Sequence, residues 1–102
     1  MSILGTELKI NVHIEPIDGI RMSAYDFECA FYVYANKKVV VSKQEMKKVD
    51  DDNYLAMIDS AMGLQIGRGT IQMEITARIP DNDFKSGFRI EKAVVCTGVT
   101  IA

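Results

Sequence analysis

Apolar and polar residues alternate with a period of two over most of this chain, the pattern of strands with one buried face. The clearest run covers residues 70–79. Ile71, Met73, Ile75, Ala77 and Ile79 share one face, and Thr70, Gln72, Glu74, Thr76 and Arg78 share the other. Residues 8–15 repeat the pattern, with Leu8, Ile10, Val12 and Ile14 opposed to Lys9, Asn11, His13 and Glu15. Residues 26–34 carry apolar bulk on both faces: Phe27, Cys29, Phe31 and Val33 on one, Glu28, Ala30, Tyr32 and Tyr34 on the other. Such a strand is central in its sheet, or its outer face meets a partner. Shorter strands are predicted at 38–41, 88–95 and 99–101, with Thr97-Gly98 marking a bulge or kink between the last two.

Turn chemistry separates these runs. Pro16-Ile17-Asp18-Gly19 ends the first strand, and Ala35-Asn36-Lys37 makes a tight connection after the second. Ser42-Lys43-Gln44-Glu45 has the spacing of a capping box, so residues 43–48 form either one helical turn or an irregular edge segment. Residues 53–59 fit two patterns. As a strand they align Tyr54, Ala56 and Ile58; as a helix running to Met62 they group Tyr54, Met57, Ile58 and Ala61, with Gly63 as C-cap. The strand is preferred, because the neighbours are β and an isolated short helix gains little. Gly63, Gly67 and Gly69 then bracket a turn that needs positive φ at one or more glycines. The expected fold is all-β: an antiparallel sandwich or flattened barrel of about six to eight strands, with at most one short helical turn. One domain spans residues 1–102, with a free N-terminal arm at 1–6.

Composition narrows the function without choosing it. A chain of 102 residues that is 48% hydrophobic can fold on one core. The net charge of −2 and the scattered basic residues give no electrostatic footprint for nucleic acid or an anionic membrane. No apolar run approaches the ~20 residues of a membrane helix. The first residues lack the pattern of a signal peptide, which predicts synthesis in a cytoplasm. Cys29 and Cys96 lack the tryptophan and tyrosine that accompany an immunoglobulin disulfide, so both are expected to be reduced and buried.

Candidate chemistry is sparse. His13 falls on a polar face with no partner nucleophile in view. Asp50-Asp51-Asp52, with Asp59 beyond, lacks the alternating ligands and terminal glutamate of a calcium loop and reads as a solvated turn. Gly63-Leu64-Gln65-Ile66-Gly67-Arg68-Gly69 lacks the Lys-Ser/Thr of a phosphate loop. Met57 and Met62 flank the ambiguous element and suit either core packing, the default, or an adaptable contact surface. In Ile79-Pro80-Asp81-Asn82-Asp83-Phe84-Lys85-Ser86-Gly87-Phe88-Arg89, Pro80 stops a ladder and Asp81 and Asp83 suit Asx-turns. Phe84 is expected to anchor the corner to the core edge, Gly87 to allow the reversal, and Arg89 to pair with Asp81 or Asp83. No catalytic, cofactor-binding or metal-binding residue is assigned, and the protein is expected not to be an enzyme.

The pattern Ile-Pro-Asp-x-Asp-Phe-x-x-Gly-x-Arg at 79–89 resembles one in small all-β structural proteins of Bacteroides-type bacteriophages and prophages. Tyr25-Asp26-Phe27-Glu28, Phe31-Tyr32-Val33-Tyr34, Asp50-Asp51-Asp52-Asn53-Tyr54 and Thr97-Gly98-Val99-Thr100-Ile101 extend the resemblance over about residues 8–101. The chain is also similar in style to N-terminal β-sandwich domains of phage baseplate upper proteins, but departs from the usual tail pattern at Met62-Gly63-Leu64-Gln65-Ile66. The resemblance implies a non-enzymatic virion protein, a homo-oligomer or multi-copy module that docks to other virion proteins at the tail or baseplate, or on the head as a capsid auxiliary or fibre anchor. The arm at 2–6 and the segment 99–102 are expected to be docking strands, since an extended segment can add to a neighbour's sheet edge. The alternative is a carbohydrate- or small-ligand-binding sandwich using Tyr32, Tyr34 and Tyr54 as a stacking platform.

Overall fold

A computed structural model describes residues 2–102. Seven strands form two antiparallel sheets: β1 (Leu8–His13), β2 (Asp26–Tyr32), β3 (Val39–Ser42), β4 (Lys47–Asp50), β5 (Asn53–Ile58), β6 (Gly69–Pro80) and β7 (Phe88–Ile101). One sheet has the order β1-β5-β4 and the other β3-β2-β6-β7. This is the expected all-β sandwich. The alternating residues of β6 turn Ile71, Met73, Ile75, Ala77 and Ile79 into the core, and β1 buries Ile10 and Val12. β2 lies between β3 and β6, which explains its apolar bulk on both sides: Phe27, Cys29 and Phe31 face the core and Ala30 is covered on the outer face. Tyr32 is half-buried beneath Lys38, whose ammonium lies 5.1 Å from the ring centre.

More helix is present than the single expected turn. The preferred strand forms as β5, which runs to Ile58, and α1 (Ser60–Ile66) follows, reaching into the stretch expected to be a glycine-bracketed turn. Asp59 separates them by accepting the Met62 N–H at 2.9 Å, an N-cap. Gly63 is therefore inside the helix and not its C-cap; Gly67 ends it. The short helix persists because Ile66 is buried and Met62 packs against the core, not through propensity. After Ser42 a 3-10 turn, Lys43–Glu45, leads into β4, with the Glu45 carboxylate accepting from the Ser42 N–H at 3.1 Å and hydroxyl at 2.9 Å.

The turns follow their residues. Asp18 and Gly19 both have positive φ, and Ile17 and Ile20 exchange backbone hydrogen bonds across them, a two-residue hairpin turn. The 88–101 segment is one strand with the predicted bulge. Thr70 pairs with Thr100 and Gln72 with Cys96, so Thr97, Gly98 and Val99 together oppose Ile71. The Thr97 hydroxyl holds this bulge by donating to Ile71 O at 2.8 Å and accepting the Val99 N–H.

The N-terminal arm is not free. Ser2 bridges Ile101 in parallel, the Ser2 N–H donating to Thr100 O and the Ala102 N–H to Ser2 O. The two segments expected to dock on other proteins dock on each other, because each supplies the backbone partners that the other lacks. At the opposite end, edge-to-face contacts of Tyr25 with Phe27 (6.1 Å) and Phe27 with Tyr54 (5.2 Å) join the sheets. The Tyr25 hydroxyl is buried there with no hydrogen-bond partner. Burial is the main reason its pKa is pushed up to about 12, with the Asp52 charge second. Tyr25→Phe is expected to raise stability by about 1 kcal/mol, since it removes an unpaired hydroxyl and keeps the ring. Thermal melting checks this: an increase of roughly 4 °C is expected for a domain of this size.

Candidate functional site

The corner between β6 and β7 is built around Arg89. Its Nη1 donates to Asp81 at 2.8 Å, its Nη2 to Asp18 at 2.7 Å and its Nε to Glu91 at 2.9 Å. The three carboxylates hold the Arg89 pKa above its ordinary value, Asp18 contributing most. Pairing with Asp81 was expected; the link to Asp18 was not, and it ties the turn after β1 to the far strand of the other sheet. Asp81 also accepts the Asp83 N–H at 3.0 Å, so the Asx-turn forms at Asp81, while Asp83 supplies the donor. Phe84 does not anchor the corner: it is 50% exposed, because the turn is closed by backbone bonds between Asp81, Phe84 and Gly87. With Nε, Nη1 and Nη2 all engaged, the cluster orients a loop.

Arg89→Ala is expected to lower the urea midpoint, with the effect carried mainly by Asp81. Asp81 is mostly shielded and loses its counter-ion, whereas the Asp18 and Glu91 pairs are exposed and add little. Arg89→Lys restores little, since one ammonium nitrogen cannot replace the planar fork whose three nitrogens reach three separate carboxylates. Urea denaturation of both variants checks this.

The remaining candidates are dispersed. His13 is exposed on β1, with Nδ1 at 2.9 Å from Asp52 O and Nε2 at 3.0 Å from Glu15. The acidic turn is compensated: Asp52 pairs with Arg21 and Asp51 with Lys48, while Asp50 accepts the Asp52 N–H. Among the described residues no three His, Cys, Asp or Glu side chains are placed to hold a metal ion. No helix among the described residues is long and apolar enough to cross a membrane. Met57 is exposed on β5 whereas Met62 packs on the core, so they form no common surface. Tyr54 is buried in the aromatic seam, which breaks the three-tyrosine platform; Tyr34 is exposed beside Lys37.

Cys29 is buried as expected, its thiol pushed up to about 12 mainly by desolvation. Cys96 is exposed, because its register opposite Gln72 turns it to the outer face of the larger sheet. In dilute protein a thiol reagent is expected to label Cys96 alone, and both cysteines after denaturation. Two labels on the native fold would contradict this placement.

On the outer face of the larger sheet, Arg78 stacks on Phe88, 4.7 Å from ring centre to guanidinium carbon. They border a groove of about 390 Å³ that also includes Ser23, Asp26, Gln44 and Pro80. Its charges are mixed, and it holds hydrogen-bonding groups and an aromatic edge but no histidine or cysteine.

The most unusual surface is β7 itself. It terminates its sheet, and among the described residues only Ser2, at Ile101, pairs with its outer edge. Opposed residues in an antiparallel ladder share a face. Ala93 and Val95 thus lie on the inner side with Ile75 and Met73, and Ile90 and Val94 on the outer side with Arg78 and Glu74. Ile90, Val94 and Val95 are exposed at 53%, 59% and 42%. Sequence reading missed this surface, yet a signal was present. Ala93-Val94-Val95-Cys96 is an unbroken apolar run, the pattern of a strand covered on both faces. Here such a strand stands at an edge.

No family model, curated protein or solved structure matches the chain.

Proposed function

We propose that this protein is a non-enzymatic docking module of a bacteriophage particle, made in the host cytoplasm and incorporated in many copies at the tail or baseplate, or on the head. The observation that carries the docking part is the β7 edge. A long strand with open backbone groups and apolar side chains on both faces is a template for another strand. The Arg89 cluster supports the same reading by fixing the base of β7 to the turn after β1, so that the edge is presented rigidly. The resemblance of residues 79–89 to phage structural proteins supplies the setting.

The test is peptide mass spectrometry of phage particles purified by density gradient. The expected result is this chain in the intact particle at a copy number comparable with other structural proteins. Its absence from particles, while abundant in the lysate, would overturn the assignment.

A further inference from the structure

Resting on the docking reading, the structure points to a specific occupant of the β7 edge. We propose that it is a second copy of this chain: two β7 strands pair antiparallel about a two-fold axis at Ala93, joining two four-stranded sheets into one continuous sheet.

The strand's own residues select this register. Opposed residues of an antiparallel pair lie on one face, so a two-fold axis normal to the sheet must set some residue against its own counterpart. With Glu91 or Lys92 at that position, like charges stand directly opposite, which is destabilising. With Ile90 there, the overlap ends at the corner that begins before Phe88; from Val94 onward it ends sooner, at the Thr97–Val99 bulge. Ala93 leaves residues 90–96 of both strands in register, roughly 24 Å of ladder.

The faces then match. On the inner side the row Ile75–Ala93 continues into Ala93–Ile75 of the other copy. On the outer side Lys92 lies opposite Val94 of the other copy, and Val94 is itself paired across its own sheet with Glu74. Each Lys92 stem therefore covers a valine and directs its ammonium toward a carboxylate, twice by symmetry. The axis also lies about midway between the corner and the Ser2–Ile101 bridge. Phe84 of each copy is thus carried to the other's arm, where Ile3 is 75% exposed. An interface of this kind is at the small end of specific association, with a dissociation constant on the order of 10 µM.

The experiment uses the full chain. In a Cys96→Ser background, Ala93→Cys places two thiols across the axis at strand-pair distance, within disulfide reach. Mild oxidation is expected to give mostly covalent dimer, whereas Lys85→Cys in the same background stays monomeric. Sedimentation of the wild type across about 1 µM to 1 mM is expected to show monomer–dimer exchange. Val94→Glu, at an exposed position with circular dichroism checked, is expected to weaken it at least tenfold. Failure of Ala93→Cys to cross-link, a wild type that stays monomeric, or a dimer indifferent to Val94→Glu overturns self-pairing. The docking reading is decided separately by the particle peptides.

Discussion

Gly69→Ala is expected to destabilise the protein by about 3 kcal/mol. Gly69 opens β6 with φ +130, in the region that side chains avoid, and holding a non-glycine residue there costs about 1–3 kcal/mol. An alanine Cβ would also lie 2.6 Å from Val33 Cγ1, 3.5 Å from Cγ2 and 3.7 Å from Cβ. A branched, packed side chain cannot swing away, so the overlap adds a further cost of roughly 1–3 kcal/mol. Against a typical total of about 5–15 kcal/mol, the melting temperature falls by more than about 10 °C. The two contributions separate in a double-mutant cycle. Val33→Ala removes the overlap but not the backbone strain, so the pair shows a favourable coupling of at least about 1 kcal/mol. A Gly69→Ala variant within about 0.5 kcal/mol of wild type would contradict the geometry at this junction.

Lys43→Met is the second large effect, expected to cost about 2 kcal/mol. Lys43 leaves the larger sheet on its 3-10 turn and donates from Nζ to three backbone carbonyls, of Met22 at 3.1 Å, Ser23 at 3.2 Å and Tyr25 at 2.7 Å. The ammonium also lies 5.7 Å from the ring centre of Phe27 and 5.8 Å from that of Tyr54, over the seam between the sheets. Burial is the main reason its pKa is lowered, so holding the charge has a desolvation cost. Methionine relieves that cost and keeps the apolar stem, but leaves three carbonyls without this donor. Loss of charge-assisted hydrogen bonds outweighs the relief, since each contributes roughly 1.5–3 kcal/mol when intact. A lower urea midpoint with an unchanged slope is expected. A variant as stable as wild type would mean that desolvation dominates at this lysine.

The fold was legible wherever local chemistry decides the outcome. β1, β2 and β6 follow their alternation, Asp18-Gly19 makes the tight turn, and Thr97-Gly98 forms the bulge. What escaped depends on contacts distant in sequence. α1 needed the sandwich to bury Ile66, and Lys43 found its carbonyls some twenty residues upstream. Asp18 joined the Arg89 cluster from the other end of the chain, and the arm found its partner at Ile101. Cys96 was expected inside and Phe84 at the core edge; the register opposite Gln72 turns Cys96 outward, and a turn closed by its own backbone bonds leaves Phe84 exposed. The exposed apolar edge of β7 was missed because sheet order is not encoded in periodicity. Ala93-Val94-Val95-Cys96 reads as a covered strand, and only the order β3-β2-β6-β7 makes it an edge.

If β7 is where another copy docks, its backbone amides must report it. An edge strand bonds alternate amides to its one neighbour and leaves the others to solvent. Residue-resolved hydrogen exchange across residues 90–96, at about 5 µM and at about 1 mM, tests this most directly; the two bracket the expected dissociation constant. Slow and fast amides are predicted to alternate in the dilute protein, with the fast set becoming protected at the higher concentration. Outward amides that exchange equally fast at both concentrations would contradict a docked β7 edge.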